Sequence, residues 1–288
     1  MNYKLVFSRF FLVGLFISSC NSDENKNLES DKMDACDTLR SADSSNTSAK
    51  VFILPAPLQV ATTLKILDIP YDEKNIVPPA KARTDYSSSY LKALNLGIYT
   101  IDLGYATLYD QRQTSLDYIK SIGKLMGDIG INSSIQNEMV KRFKNNIQKP
   151  DSLYKIILES YNNTHAYFQN NQREEMGMFI LSGGFIEGLY LSLNNEHIQK
   201  KEALHNLIGQ QKLFLNNILE LLQYADTQAD VADLAQKLNS LKEVYDTIEV
   251  SYSDSENGKI ATKCFITKEQ LIILLNKVRA VRNAIVNA

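Results

Sequence analysis

Apolar residues recur at steps of three and four along most of the chain. Leu91, Leu94, Ile98, Ile101, Tyr105 and Leu108 keep this period, as do Val231, Leu234, Leu238, Leu241, Tyr245 and Ile248, and again Leu271, Leu274, Val278, Val281 and Ile285. Such spacing draws one apolar stripe along a helix, so three amphipathic helices are expected here. Punctuation delimits the others. Asp110 is placed to cap a helix that stops at Gly130, Ser133 with Gln136 and Thr267 with Gln270 have capping-box spacing, and Pro150 suits a first helical turn. The predicted helices span roughly 86–109, 111–129, 134–147, 151–170, 173–193, 197–223, 228–248 and 268–286. The fold class is therefore all-α, a bundle of about eight long helices.

Proline placement agrees. Pro55, Pro57, Pro70, Pro78 and Pro79 crowd into one segment, Pro150 stands alone, and none follows it to Ala288. The segment 51–79 then reads as a short helix from about Pro57 to Leu67 and an irregular crossing that ends at Pro78-Pro79. Residues 249–266 depart from the helical period: Val250, Tyr252, Ile260, Cys264 and Ile266 flank Asn257-Gly258, a hairpin-turn dipeptide. A short β-ribbon and a plain loop both fit there. No fixed-period repeat relates the helices, which argues against a solenoid.

The first fifty residues carry an address. Lys4 and Arg9 precede the eight-residue apolar run Phe10–Ile17, too short to span a bilayer and typical of a signal peptide. Ile17-Ser18-Ser19-Cys20 resembles a bacterial lipobox, an aliphatic residue and two small ones before the Cys that is acylated. Residues 1–19 are thus the expected lipoprotein signal peptide, 20–50 an acylated tether rich in Ser, Asp, Asn and Lys, and 51–288 a single helical domain. Two or three acyl chains, at about 0.8 kcal/mol per buried methylene, hold such a protein on a membrane rather than through it. Asn21 instead of Asp after the Cys points to the outer membrane, and the acidic Ser22-Asp23-Glu24-Asn25 leaves both its periplasmic and its surface face open.

Composition narrows the chemistry. Loss of residues 1–19 removes Lys4 and Arg9, so 31 basic side chains become 29 against 33 acidic ones, a net charge of −4. That offers no basic field for phosphates, and no nucleic-acid partner is expected. Glu202-Ala203-Leu204-His205 has the Glu-x-x-His spacing of di-iron bundles, yet such a site needs a second copy and two further Glu, and none is present. His165 and His197 lie in no metal-binding pattern, so neither metal nor cofactor is expected. Nucleophile-elbow and phosphate-loop motifs are also lacking. After Cys20, the thiols are Cys36 and Cys264. A bridge between them is conceivable in an oxidising envelope, but Cys36 falls in the tether, and two free thiols are expected.

Two helices stand out. In the first, Asn95, Tyr99, Asp102, Ala106 and Tyr109 form one stripe, which sets a carboxylate among phenols. In the second, the stretch 178–193 is apolar or small except for Glu187, and at 16 residues it falls short of the roughly 20 that a bilayer requires. It reads as the central helix of the bundle, with Gly184 and Gly188, like Gly123 and Gly127, spaced to admit a neighbour closely. Asp102 is either a structural acid satisfied by Tyr hydroxyls or by a Lys or Arg from another helix, or it lines a polar ligand pocket with Asn95, Tyr99, Tyr109 and Glu187.

The stretches Lys92-Ala93-Leu94-Asn95-Leu96-Gly97-Ile98-Tyr99-Thr100-Ile101-Asp102-Leu103-Gly104-Tyr105-Ala106 and Gly183-Gly184-Phe185-Ile186-Glu187-Gly188-Leu189-Tyr190 are similar to signatures of a family of all-helical outer-membrane lipoproteins from Gram-negative gut and environmental bacteria. The resemblance runs from about Val51 to the C-terminus, anchor included. It implies a helical fold and a membrane address, and no catalytic residue, because that family has no assigned activity. The expected role is a non-enzymatic binding or interaction protein, with the membrane held through its lipid and a protein or small molecule as partner. Beside it stand a cell-envelope hydrolase, with Asp102, Glu187 and His165 gathered across helices, and a structural subunit of an envelope assembly. The anchor itself is open to test: Cys20→Ser should move the protein to the soluble fraction or leave an uncleaved precursor, and unchanged membrane attachment would refute acylation at Cys20.

Overall fold

The helical period is realised along the chain in the computed structural model, which describes residues 56–80, 86–195, 197, 201–224, 229–254 and 260–288. The expected signal peptide, Cys20, the expected tether with Cys36, the Asn257-Gly258 dipeptide and the side chain of His165 lie outside the described residues. Nine α-helices are present among those described: α1 (Ala56–Ile66), α2 (Ser89–Leu108), α3 (Arg112–Asp128), α4 (Ser133–Asn146), α5 (Pro150–Asn170), α6 (Glu174–Leu193), α7 (Glu202–Tyr224), α8 (Ala229–Tyr245) and α9 (Lys268–Val286). Between α8 and α9, strands β1 (Glu249–Asp254) and β2 (Ile260–Phe265) pair antiparallel, Val250 opposite Cys264. The departure from helical period is therefore a ribbon and not a loop. Cys264 is buried and free, and burial raises its thiol pKa to about 11.

Helix α6 forms the axis of the bundle. Every residue from Met176 to Leu193 is buried, and α1, α2, α5, α7 and α9 all pack against it. Its length is 20 residues, so the shortness of the apolar run does not distinguish a core helix from a membrane span. Among the described residues it is the one helix long and apolar enough to cross a membrane, with a mean hydropathy of 1.4, and that window is entirely buried inside the protein.

The most extensive helix pairing is α2 with α6, and it depends on glycine. A methyl group at Gly183 would stand 1.9 Å from the Leu94 carbonyl oxygen, and one at Gly97 2.0 Å from that of Ile180. Each helix thus rests on the backbone of the other. Gly184, Gly123 and Gly127 do not share this constraint: a Cβ at each would meet its nearest neighbour at 3.5, 3.9 and 3.5 Å, which is ordinary contact. Close approach therefore runs through Gly97 and Gly183, a pair split between two helices, rather than through a glycine pair on one helix.

Helix ends depart from the expected punctuation in an instructive way. Asp110 does not cap α3; it closes α2, with φ at 58° and the Gln111 and Asp110 N–H groups on the carbonyls of Ala106 and Thr107. Asp68, Gly130 and Gln172 end α1, α3 and α5 by the same paired bonds at positive φ, so three of these four left-handed ends are made without glycine. Ser133 and Gln136 make no capping box either. Asn132 is the N-cap of α4, accepting from the Ser134 N–H, while the Gln136 amide donates to the Ile131 carbonyl. Pro150 at the first turn of α5 and the Thr267–Gln270 box of α9 are formed as expected.

Substituting Gly183 should separate the two glycines' roles. Gly183→Ala has backbone as its obstacle and should cost at least 1–3 kcal/mol in urea unfolding, the scale of core overpacking. Gly184→Ala should be neutral or stabilise by up to about 1 kcal/mol through helix propensity. Equal effects would show that the α2–α6 distance is not set by Gly183.

Candidate functional site

Between α1 and α2 the chain crosses the bundle as an irregular strap, residues 67–79, broken by one 3-10 turn at Glu73–Asn75. Pro70, Pro78 and Pro79 keep it from becoming helical, and a non-helical backbone over a core needs partners for its polar groups. The bundle supplies side chains. Lys201 donates to the Leu67 carbonyl at 2.6 Å, the Tyr109 hydroxyl to that of Ile69 at 2.6 Å, and the Asp72 N–H donates to the Tyr105 hydroxyl at 3.0 Å. At the far end the Val77 N–H donates to Asp102 Oδ2 at 3.0 Å, and the Tyr118 hydroxyl bridges the Val77 carbonyl and the same oxygen, 2.9 Å from the latter. Tyr71 stacks on Tyr105 with centroids 5.1 Å apart, and burial, then Tyr105 and Asp102, push its pKa up to about 12. Polar residues on one face of α2 thus hold the strap.

Asp102 and Glu187 meet in the core, both fully buried. Arg282 of α9 grips Glu187 with two bonds, Nε to Oε2 at 2.5 Å and Nη2 to Oε1 at 2.7 Å, and lies 4.2 Å from the centroid of the Tyr190 ring. One guanidinium thus faces two carboxyls. Oδ1 of Asp102 has no N–H or hydroxyl donor, and the carboxyl within its hydrogen-bonding reach is that of Glu187. Burial first, and then Glu187, raise the Asp102 pKa well above its ordinary value of 3.8, against a smaller lowering by Arg282. That direction favours the protonated form of Asp102, in which repulsion between the two acids gives way to a hydrogen bond.

The other stripe residues serve elsewhere. Asn95 donates to the carbonyls of Leu91 and Ile285, at 2.8 and 3.2 Å, and so ties α2 to α9. The Tyr99 hydroxyl lies 2.5 Å from that of Tyr86, and its pKa is raised by burial and by that contact. Of the five residues Asn95, Tyr99, Asp102, Tyr109 and Glu187, only Asp102 and Glu187 come together as a cluster. Arg282 and Tyr118 complete it and are not evident from the stripe. A signal exists for Arg282: it follows Leu271, Leu275 and Val278 at steps of four, three and four, a cation on an otherwise apolar face.

The strap also walls a cleft of about 560 Å³, and none of the five stripe residues lines it. Its floor is apolar, with Leu64 of α1, Ile69 of the strap, Leu191 and Leu193 of α6, and Leu271 and Leu275 of α9. Its other end carries Lys74, Asn75, Asn194, Asn195 and His197. Asn75 belongs to both sites: its side-chain oxygen accepts from Asn194 at 2.7 Å, and its carbonyl accepts from Arg282 at 3.4 Å. The remaining cavities are poorer candidates. One of about 30 Å³, lined by Met126, Phe143 and Thr164 among others, holds little more than a water, and a groove of about 340 Å³ has at its rim Arg142, which is paired with Glu159 at 2.5 Å. No group of three or more His, Cys, Asp or Glu side chains gathers as a metal site among the described residues.

Comparison with known proteins returns no matching family model, no matching curated protein and no matching solved structure.

The acid cluster makes a pH-dependent prediction. Asp102→Ala leaves the Val77 N–H unpaired, removes one of the two acceptors of the Tyr118 hydroxyl, and should cost about 1–3 kcal/mol, whereas Asp102→Asn, which mimics the protonated acid, should cost less. Because the folded pKa of Asp102 is raised, its contribution is complete below about pH 4 and declines as pH rises through the folded value, by at most about 1.4 kcal/mol per pH unit. The stability of the wild type relative to Asp102→Asn should therefore fall as pH rises above about 4; a flat difference would mean that the fold does not raise the pKa of Asp102. Glu187→Ala strands Arg282 in the core and should cost about 3–5 kcal/mol.

Proposed function

We propose that this chain is a lipid-anchored helical lipoprotein of the outer membrane that binds a small molecule and catalyses no reaction, and that the cleft between the strap, α6 and α9 is its binding site. The observation that carries the reading is the cleft itself. At about 560 Å³ it lies within the range of small-molecule sites, roughly 300–1,000 Å³, and it pairs an apolar floor with a few convergent polar groups. The lipobox ending at Cys20, the tether behind it and the resemblance to helical lipoproteins support the address. A hydrolase would need a carboxyl in contact with substrate, whereas the oxygens of Asp102 and Glu187 are buried and engaged by Val77, Tyr118, Arg282 and each other. Their chemistry is that of a structural clasp.

Native mass spectrometry of the protein purified from its own membrane tests the reading. A small molecule should accompany the wild type and be lost from Ile272→Arg, which places a charge at the mouth of the cleft on a residue already 48% exposed. A wild type that carries nothing, or an adduct untouched by Ile272→Arg, would overturn the assignment of the cleft.

A further inference from the structure

The cleft is divided along its length, and the division specifies a ligand. Its floor is built from leucine and isoleucine side chains of α1, the strap, α6 and α9, with Ile272 left 48% exposed at its edge. Apart from Tyr105, whose hydroxyl accepts the Asp72 N–H, and His197 at the polar end, no described residue brings a ring to it. A flexible aliphatic chain fits such walls better than a flat ring or a sugar, because it buries methylenes without leaving hydroxyls unpaired. The polar end is set differently. The Asp72 carboxylate that borders it accepts the Lys74 backbone N–H as the N-cap of the 3-10 turn. The Lys74 side chain, by contrast, is exposed and its ammonium has no acceptor among the described residues. The same cleft is lined by Asn194, whose amide donates to Asn75 and Tyr190, and by Asn195, whose amide donates once to Ser192; Arg279 donates to the Asn194 side-chain oxygen at 3.0 Å, which brings a second cation to this end.

Resting on the proposed role of the cleft, we infer that its ligand is a single-chain aliphatic amphiphile with an anionic head, of the fatty-acid type. The acyl chain lies along Ile69, Leu191, Leu271 and Leu275, and the carboxylate meets Lys74 and the second N–H of the Asn195 amide, whose first is donated to the Ser192 carbonyl. Apolar contact supplies most of the affinity, and a charge-assisted hydrogen bond at the head fixes the direction of entry.

The test uses the mature chain, residues 20–288 with Cys20→Ser, in buffer free of detergent, titrated calorimetrically with dodecanoate, dodecanol and maltose. Dodecanoate should bind one to one. Dodecanol should bind about tenfold more weakly, and Lys74→Ala should weaken dodecanoate by a similar factor, the loss of one charge-assisted bond. Ile272→Arg should abolish binding while its circular dichroism melting curve shows that it is folded. Equal affinity for dodecanoate and dodecanol, or no effect of Lys74→Ala, would overturn the anionic head. Binding that survives Ile272→Arg would place the ligand elsewhere. Maltose bound in place of dodecanoate, and lost in Ile272→Arg, would overturn the amphiphile while the cleft stands as a site. No binding of any of the three, with no adduct on the protein from its own membrane, would overturn both the ligand class and the cleft.

Discussion

The contact between α2 and α6 constrains the rest of the molecule. Gly97 and Gly183 let two backbones touch where any side chain would hold them apart. That proximity brings Asp102 and Glu187, which follow on the same helices, within reach of each other. Two acids so close in a dry core repel, which favours the protonated form of Asp102, and the bundle sets one guanidinium against them. Arg282 draws α9 onto the pair, so three helices far apart in sequence are joined at one cluster. Such a cluster is demanding: each member is satisfied only while the others are present, which ties packing of the helices to polar pairing.

The strap depends on the same cluster. Its prolines deny it helical bonds, and in place of a neighbouring strand it has the side chains of Lys201, Tyr109, Tyr105, Asp102 and Tyr118. The C-terminal half of the polar stripe of α2, Asp102 and Tyr109, is therefore explained by the segment that crosses it. The cleft is a consequence of the same arrangement, since the strap that seals the acids on one course of its backbone forms a wall of the cleft on another. Asn75 stands at the junction, bonded toward Asn194 in the cleft and toward Arg282 in the core. An occupant of the cleft would press on a wall whose fastenings lead to the buried acids.

Much of the candidate site was hidden from the sequence for physical reasons that can be named. Asp102 and Glu187 are conspicuous as acids in apolar surroundings, but their meeting depends on a helix crossing whose two glycines lie on different helices, where no spacing within one helix could reveal them. Left-handed helix ends at Asp68, Asp110 and Gln172 escaped because paired backbone hydrogen bonds close these helices at positive φ on residues where local preference alone would ask for glycine.

By itself the sequence determined the helices, their order and their buried faces. A period of three and four apolar residues, the run of 138 residues after the last proline, and caps such as Thr267–Gln270 are local or nearly local signals that act before any long-range contact forms. It also carried the strap, as a cluster of prolines. Only the tertiary structure decided what the polar residues of those helices do. Whether an acid is a clasp or part of an open pocket depends on which donors other helices bring to it, and Arg282 lies 95 positions from Glu187. The cleft likewise exists in no single segment, because its walls come from α1, the strap, α6 and α9, and empty space between helices is a property of their packing alone.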